Sequence, residues 1–385
     1  MNITKSDIPL LSVVIPAMNE ELTIGLFIDW CKEGLEEAGI TNGQILIIDS
    51  STDKTPEIAE SKGAEVLRVP KRGLGRAYID AIPYIRGKYV IMGDADLTYD
   101  FRRLIPFLQK FEEGYEFVMG SRFKGFIEKG AMPPLHQYFG TPVTTFILNL
   151  IYGTHYSDIH CGMRGITLEA LTRMNLQSQS WEYASEMVIK ASKMKLKIAE
   201  VPVNFFKDRE GRLSHHKRTG WFSSWQAGWI NVKAMLIFAP DFFLFWPGLV
   251  AFFLGLLLTI SLSGGPFFIG NIGLNLNWML LGLTTATMGY SAFHLAAITR
   301  LHYAYDKSFN EKVSKIFSYN RGMLYSVLLF LSGLILNIIL LVIWIRSGLR
   351  LSNFYHPAIL GLLLLILGFQ TFSFTLLVEI FKKKD

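Results

Sequence analysis

Two hydrophobic rhythms divide this chain. Up to about residue 230, short apolar runs alternate with segments whose apolar side chains recur every three or four positions; beyond that point the apolar stretches reach about twenty residues. The short runs at 10–15, 44–48, 65–69, 88–93 and 116–119 predict buried strands. Between them, 21–38, 55–61, 76–85 and 102–112 carry helical periodicity, the first through Leu22, Leu26, Ile28 and Leu35. Strands alternating with helices over short connections predict an α/β fold, a mostly parallel sheet covered on both faces.

Residues 136–152 are apolar at Phe139, Val143, Phe146, Ile147, Leu150 and Ile151, too short and interrupted for a clear membrane span. Composition favours a core helix there over a helix lying on a bilayer. Trp221, Phe222, Trp225 and Trp229 fall three and four apart, an aromatic stripe suited to the headgroup level. Four stretches, 242–261, 276–298, 323–345 and 358–378, are each long enough to cross a hydrocarbon core. Residues 300–321 hold five Lys and Arg and the tail holds three, whereas 262–275 hold none and 346–356 two. Basic connections stay inside, so an even number of spans returns both termini to the cytosol, in agreement with an opening that lacks a signal peptide. The expected layout is a cytosolic domain over 1–217, an interfacial helix region over 218–240 and a four-span region over 241–385.

Composition sharpens this division. Of 385 residues 50% are hydrophobic and only 18% charged, against about 25% in soluble proteins. The net charge of +6 is what cytoplasmic loops facing anionic lipid require, so nucleic acid is not inferred as a partner. Cys31 and Cys161 form neither a disulfide framework nor a zinc site. His155, Asp158 and His160 match no common metal spacing.

The chemistry gathers at strand ends. Glu20 follows the first strand, Asp49 and Asp53 the second, Asp94 and Asp96 the fourth. In a parallel sheet these all reach the C-terminal edge, where open α/β sheets bind ligands. Asp94 and Asp96, read as strand residues on one face, could share a hard cation; the plain alternative is a charged turn. There is no Gly-rich dinucleotide fingerprint and no P-loop after the first strand. Residues 71–76, Lys-Arg-Gly-Leu-Gly-Arg, open a helix and could bring backbone N–H groups and Arg76 to a phosphate, or form a solvated basic turn. Arg122 follows the fifth strand.

The segments Val14-Ile15-Pro16-Ala17-Met18-Asn19-Glu20, Ile48-Asp49-Ser50-Ser51-Thr52-Asp53, Asp94-Ala95-Asp96-Leu97, Gly120-Ser121-Arg122, His160-Cys161-Gly162-Met163-Arg164, Ala184-Ser185-Glu186-Met187 and Glu200-Val201-Pro202-Val203 occur in order over most of residues 10–235. In these the chain resembles the family 2 glycosyltransferases of the GT-A fold, and more narrowly the polyprenyl-phosphate sugar transferases such as dolichol-phosphate mannose and glucose synthases. The resemblance implies a GT-A nucleotide-diphospho-sugar transferase domain followed by an α-helical transmembrane region. It implies that Pro16, Asn19, Glu20, Asp49, Arg76, Asp94, Ala95 and Asp96 bind the nucleotide sugar, with Asp94 and Asp96 as ligands of Mg2+ or Mn2+. Ser50 stands where the family more often has a second Asp.

On the acceptor side, residues 207–218 hold five Lys and Arg and two His against two acidic residues, just before the aromatic stripe. Arg209 and Arg212 there, with Arg122 and Arg164, are candidates for binding the phosphate of a lipid. Glu182 and Glu186 stand where a catalytic base would act in such a fold, although a lipid phosphate is already an anion and needs little deprotonation. The catalytic set expected from the sequence is therefore Asp94, Asp96, Arg122 and Glu186. The expected enzyme is an inverting, metal-dependent hexosyltransferase using UDP-glucose or GDP-mannose and a polyprenyl phosphate, seated in the cell membrane; self-association is left open. The alternatives are a glycolipid synthase of the same fold and a non-enzymatic lipid or sugar carrier. Trp225-Gln226-Ala227-Gly228-Trp229 lacks the Gln-x-x-Arg-Trp pattern of a processive synthase.

Overall fold

Val13, Val14 and Ile15 are all fully buried in β1 (Leu11–Ala17). Successive strand residues point to opposite faces, so a run this dry means that both faces of the strand are covered. The computed structural model describes residues 9–209, 233, 240–303, 307–348 and 355–382. The chain divides into two units, Met1–Met235 and Leu236–Asp385.

In the first unit β1 pairs in parallel with β2 (Gln44–Asp49) and β4 (Tyr89–Met92), and β2 with β3 (Glu65–Arg68). The apolar runs account for these strands and for the start of β5 (Phe117–Ile127). They did not reveal β6 (Arg164–Thr167) or β7 (Ile198–Phe205). The seven strands lie in the order β3-β2-β1-β4-β6-β5-β7. β6 runs antiparallel to both neighbours, β4 and β5, while β7 is parallel to β5. The sheet is mostly parallel as expected, with β6 reversed. That reversal matters for function: the N-terminal end of β6 reaches the edge where β1, β2, β4 and β5 end.

Helix α1 (Ile24–Glu37) turns Ile24, Phe27, Ile28, Cys31 and Leu35 inward. Leu22, expected on that face, lies before the helix and is exposed. Cys31 is a core thiol whose pKa burial pushes well up. The remaining helices of this unit are α2 (Thr55–Ser61), α3 (Leu74–Ala81), α4 (Ile105–Glu112), α5 (Thr141–Tyr152), α6 (Leu168–Met174) and α7 (Tyr183–Lys193). A π-helical turn, His136–Gly140, leads into α5. The core-helix expectation for 136–152 does not hold: Tyr138, Phe139, Phe146 and Leu150 are between 63% and 76% exposed.

The second unit contains α8 (Trp246–Ser261), α9 (Leu276–Tyr303), α10 (Lys307–Ile316), α11 (Tyr319–Arg346) and α12 (Tyr355–Lys382), with a small hairpin of Phe267–Ile269 and Ile272–Leu274. Among the described residues three helices, Phe242–Ser261, Tyr319–Arg346 and Tyr355–Phe381, are long and apolar enough to cross a membrane, where four were expected. α9 has the length but is less apolar, with Thr284, Thr285, Thr287, Ser291 and His294 within it, and some of its polar groups meet α12. Tyr290 Oη lies 2.9 Å from Thr371 Oγ1, and Gln370 donates to Ser291 Oγ at 2.9 Å. With three qualifying spans, the argument that an even number returns both termini to one side loses its premise. Small residues let the helix backbones approach, as at Gly248, where a Cβ would lie 2.9 Å from the Gly289 carbonyl oxygen. The stripe Trp221, Phe222, Trp225 and Trp229 lies outside the described residues.

Candidate active site

The loops after β1 and β2 are stitched to each other before any ligand arrives. Pro16 sits opposite Ile48 and Ala17 opposite Asp49 in the sheet register, so both strands end level. Asn19, in the left-handed region at φ 58°, donates its N–H to Ser51 Oγ (2.8 Å), and its Oδ1 accepts from the Thr52 N–H (2.9 Å). The Glu20 N–H donates to Thr55 Oγ1 at 2.8 Å, and Asp53 Oδ1 accepts from the Thr55 N–H at 3.0 Å. Asn is among the few side-chain-bearing residues that tolerate this backbone region.

Asp49 closes the end of β2. Its Oδ2 takes an ion pair from Arg68 (2.7 Å) and the Ser51 N–H (3.1 Å). Its Oδ1 is buried and accepts no hydrogen bond within the protein. Leaving such an oxygen unpaired costs about 1–3 kcal/mol, which a ligand's N–H or O–H would relieve.

Asp94 and Asp96 do not lie on a strand face. β4 ends at Met92, and Gly93 to Asp96 form the turn beyond it. Asp96 Oδ1 accepts from both the Thr98 N–H (3.0 Å) and the Thr98 hydroxyl (2.6 Å), an Asx turn that fixes its carboxylate. Tyr78 Oη donates to the Gly93 carbonyl at 2.9 Å and anchors the start of this turn. Asp94 is met from β6's side by Gly162, where a Cβ would lie 2.6 Å from Asp94 Oδ2 and 3.0 Å from the Tyr99 ring. Gly162 is held there by its N–H donating to Tyr99 Oη at 2.8 Å. Burial, with Asp94 adding to it and against the opposing charge of Arg164 and the Tyr78 hydrogen bond, pushes the Tyr183 phenol up to about 12, so it stays neutral. Among the described residues no group of three or more His, Cys, Asp or Glu could hold a metal unaided. Two carboxylates with a glycine cradle instead fit a cation shared with a substrate's phosphates, since hard cations accept oxygen ligands from both.

Arg122 lies in β5 at the break in register between Ser121 and Phe126 and is buried against Asp158, Nε to Oδ2 at 2.6 Å and Nη2 to Oδ1 at 2.8 Å. Burial alone would raise the Asp158 pKa; the hydrogen bonds and charge of Arg122 outweigh it and hold the carboxyl below its usual range. Neighbouring His160 is forced down to about 4, by burial first, against the attraction of Asp158. Arg164 sits opposite both Met92 and Met119 in the sheet, 1% exposed, donating to the carbonyls of Ala184 (2.9 Å) and Cys161 (2.7 Å). Its Nε is buried with no partner. Arg76 is drawn along its own helix to Asp80 at 2.8 Å. Ala95 is buried inside the turn.

Glu186 is fully buried, and no acceptor can reach it in this arrangement. Its carboxylate accepts the N–H groups of Gln177 (2.9 Å) and Ser178 (2.8 Å) and pairs with buried Lys190 at 2.5 Å. It thereby fixes residues 177–180, against which Gly73 and Gly75 pack so closely that a Cβ at either would strike a backbone carbonyl; the Arg76 N–H donates to Gln179 O at 3.0 Å. Arg209 is exposed beyond β7, and Arg212 lies outside the described residues. Sequence reasoning missed Tyr78, Tyr99 and Asp158 as organisers of the edge. Their partners are 15, 63 and 36 positions away, and no local pattern marks them.

Residues 12–174 match Glycosyl transferase family 2, and residues 292–382 match the Glycosyltransferase family 2 C-terminal transmembrane region. The chain is similar to the low-salt glycan biosynthesis hexosyltransferase Agl6 of Haloferax volcanii, 35% identical over 373 residues, 95% of this chain and 87% of the relative. It is similar to the dolichyl-phosphate hexose transferase of the same organism, 31% identical over 206 residues, 52% of this chain and 84% of the relative. Similarity to the dolichyl-phosphate beta-glucosyltransferase of Homo sapiens is 28% over 220 residues, 51% of this chain and 67% of the relative.

Proposed function

The chain belongs to glycosyl transferase family 2, and from that premise we propose that it moves a hexose from a nucleotide sugar to a polyprenyl phosphate in one inverting, metal-dependent step. One feature carries the proposal: Asp49, with its unpartnered buried oxygen, and Asp94, with its glycine cradle, share the C-terminal edge of one sheet. The match to a family 2 transmembrane region, and relatives named for dolichyl phosphate, support a lipid-borne acceptor. The human relative's name supports glucose as the sugar and hence UDP-glucose as the donor.

In this reading Asp49 receives the nucleoside, and the stitched loops at Asn19, Glu20 and Ser51 shape its seat in advance. Asp94 and Asp96 hold Mg2+ or Mn2+, which when bound offsets charge on the departing nucleoside diphosphate. Arg122 commits Nε and Nη2 to Asp158 and keeps Nη1 for a phosphate oxygen of donor or acceptor. The lipid phosphate attacks the anomeric carbon from the face opposite the diphosphate. It is already an anion, so the burial of Glu186 is no obstacle. Arg209 and Arg212 follow β7 and are assigned to the lipid phosphate.

Full-length protein in detergent, incubated with radiolabelled UDP-glucose or GDP-mannose and a polyprenyl phosphate, tests this. The expected result is a lipid-linked sugar from UDP-glucose that disappears with EDTA and returns with excess Mg2+ or Mn2+. No lipid product from any nucleotide sugar would overturn the proposal.

A further inference from the structure

The outer face of α5 and of the turn before it is apolar and uncovered. Leu135, Tyr138, Phe139, Val143, Phe146 and Leu150 are each 38% to 76% exposed. Leu135, Phe139, Val143, Phe146 and Leu150 follow one another at intervals of four, four, three and four, so they form a single stripe. A soluble domain rarely leaves such a stripe in water without an occupant. The opposite face is firmly tied down. Thr144 Oγ1 lies 2.8 Å from His160 Nε2, and Asn149 Nδ2 donates to the Tyr156 carbonyl at 2.7 Å while its Oδ1 accepts from the Tyr156 N–H at 2.9 Å. The helix is therefore seated in its domain by its polar side, and the exposed stripe is not a core face displaced from its partner.

We propose that this stripe is a bilayer-contacting surface, with Leu135, Phe139, Val143, Phe146 and Leu150 immersed at the boundary between headgroups and acyl chains. Two observations select the bilayer as occupant. The same chain carries, among its described residues, three helices long and apolar enough to cross a membrane, and it matches a family 2 transmembrane region. The charge also fits. From Lys129 to Ser157 the sequence contains no Asp or Glu. An apolar helix face whose own segment carries no carboxylate suits an interface of anionic lipid. The consequence reaches the active site, because the loop that α5 grips, Tyr156 to His160, carries Asp158, the clamp on Arg122.

The test uses the full chain in nanodiscs of phosphatidylcholine and phosphatidylglycerol, with an environment-sensitive fluorophore on Phe146→Cys, and in a second variant on Leu150→Cys. Cys31 and Cys161 are fully buried and leave the introduced thiol as the reactive one. Glu57→Cys, on the exposed side of α2, is the reference. The expected result is a blue shift and strong quenching by nitroxide-bearing lipids at 146 and 150, with loss of quenching by a water-soluble nickel complex; Glu57→Cys shows the reverse. Quenching at both stripe positions by the nickel complex as strong as at Glu57→Cys overturns the proposal. So does protection from both quenchers that is lost at one chain per disc, which would assign the stripe to a second copy. None of these readouts depends on the sugar or the acceptor.

Discussion

Arg122 and Asp158, 36 positions apart, meet in a two-pronged ion pair out of water, at 2.6 and 2.8 Å. β5 brings the arginine to the sheet edge, and the segment leading into reversed β6 brings the aspartate. Removing one member leaves the other buried and unpaired, which costs about 3–5 kcal/mol. Asp158→Ala should therefore lower stability by that order, and Arg122→Lys should lower transfer activity more than it lowers stability, because an ammonium cannot reproduce the fork. Urea midpoints and initial rates on the same preparations check both.

The same corner sets an acid response. Folded His160 is neutral down to about pH 4, whereas in the unfolded chain it takes up a proton near its ordinary value of about 6.5. Between those values the unfolded state binds more protons, so stability falls as pH drops through that window. Asp158 acts later with the same sign: its contribution is present above the ordinary carboxylate pKa and is lost as pH falls through its depressed folded value. Hydrogen exchange of residues 156–164 should accelerate from pH 6.5 to 4, and His160→Gln should remove the acceleration. Exchange that is flat in the wild type over this range would contradict the assignment.

Glu186 and Lys190 form a second buried pair, one turn apart on α7. Glu186→Gln keeps a carbonyl oxygen for the Gln177 and Ser178 N–H groups but strands the Lys190 cation. We expect a loss of roughly 3–5 kcal/mol. Adding Lys190→Met should restore part of that loss, since the stranded charge is gone. If Glu186 were instead the base of the reaction, the double variant would regain stability with activity still abolished. The position predicts that activity returns with the fold, read as kcat against melting temperature across the three proteins.

What could be read along the chain was local. Continuous apolar runs marked β1, β2, β3, β4 and the start of β5 because central strands are dry on both faces. β7 escaped because Glu200, Pro202 and Asn204 interrupt its apolar residues at an edge position, where alternate side chains meet water. β6 is only four residues, Arg-Gly-Ile-Thr, and depends on its two neighbours. Asp94 and Asp96 stood out in the sequence as candidates, but their geometry did not, since nothing in the tripeptide says that the strand stops at Met92. α9 was read as a span from its length, although Thr284, Thr285, Thr287, Ser291 and His294 lower its apolarity; in the fold Tyr290 and Ser291 meet Thr371 and Gln370.

The two edge carboxylates should also differ in what they tolerate. Asp96 is held by both the N–H and the hydroxyl of Thr98, so Asp96→Ala loses the charge and the turn together. Asp94→Asn loses the charge and keeps an amide oxygen in its place. Each should lower kcat/KM at least about a hundredfold, because charge offset on the leaving group is worth several kcal/mol. Thr98→Val should shift the metal dependence in the direction of Asp96→Ala, more weakly. Rates measured against Mn2+ concentration separate the cases; a wild-type rate unaltered by EDTA would remove the basis for all three.

Gly162 gives the most selective handle on Asp94. An alanine there would place its methyl 2.6 Å from Asp94 Oδ2, closer than real Cβ contacts allow, and 3.0 Å from the Tyr99 ring. The atom under pressure belongs to the far end of a side chain, so the carboxylate swings away and the sheet need not move. Tyr99 is less free, held by the Gly162 N–H and packed 5.1 Å from Phe205, so the strain falls on Asp94. Gly162→Ala should fold, with a stability loss of about 1–3 kcal/mol from overpacking. It should require more Mn2+ to reach half-maximal rate, while the affinity for a nucleoside lacking phosphates, which would bind at Asp49, stays unchanged. A variant that loses nucleoside and metal affinity together would mean that the loop as a whole had shifted, and that Gly162 serves the sheet edge rather than Asp94.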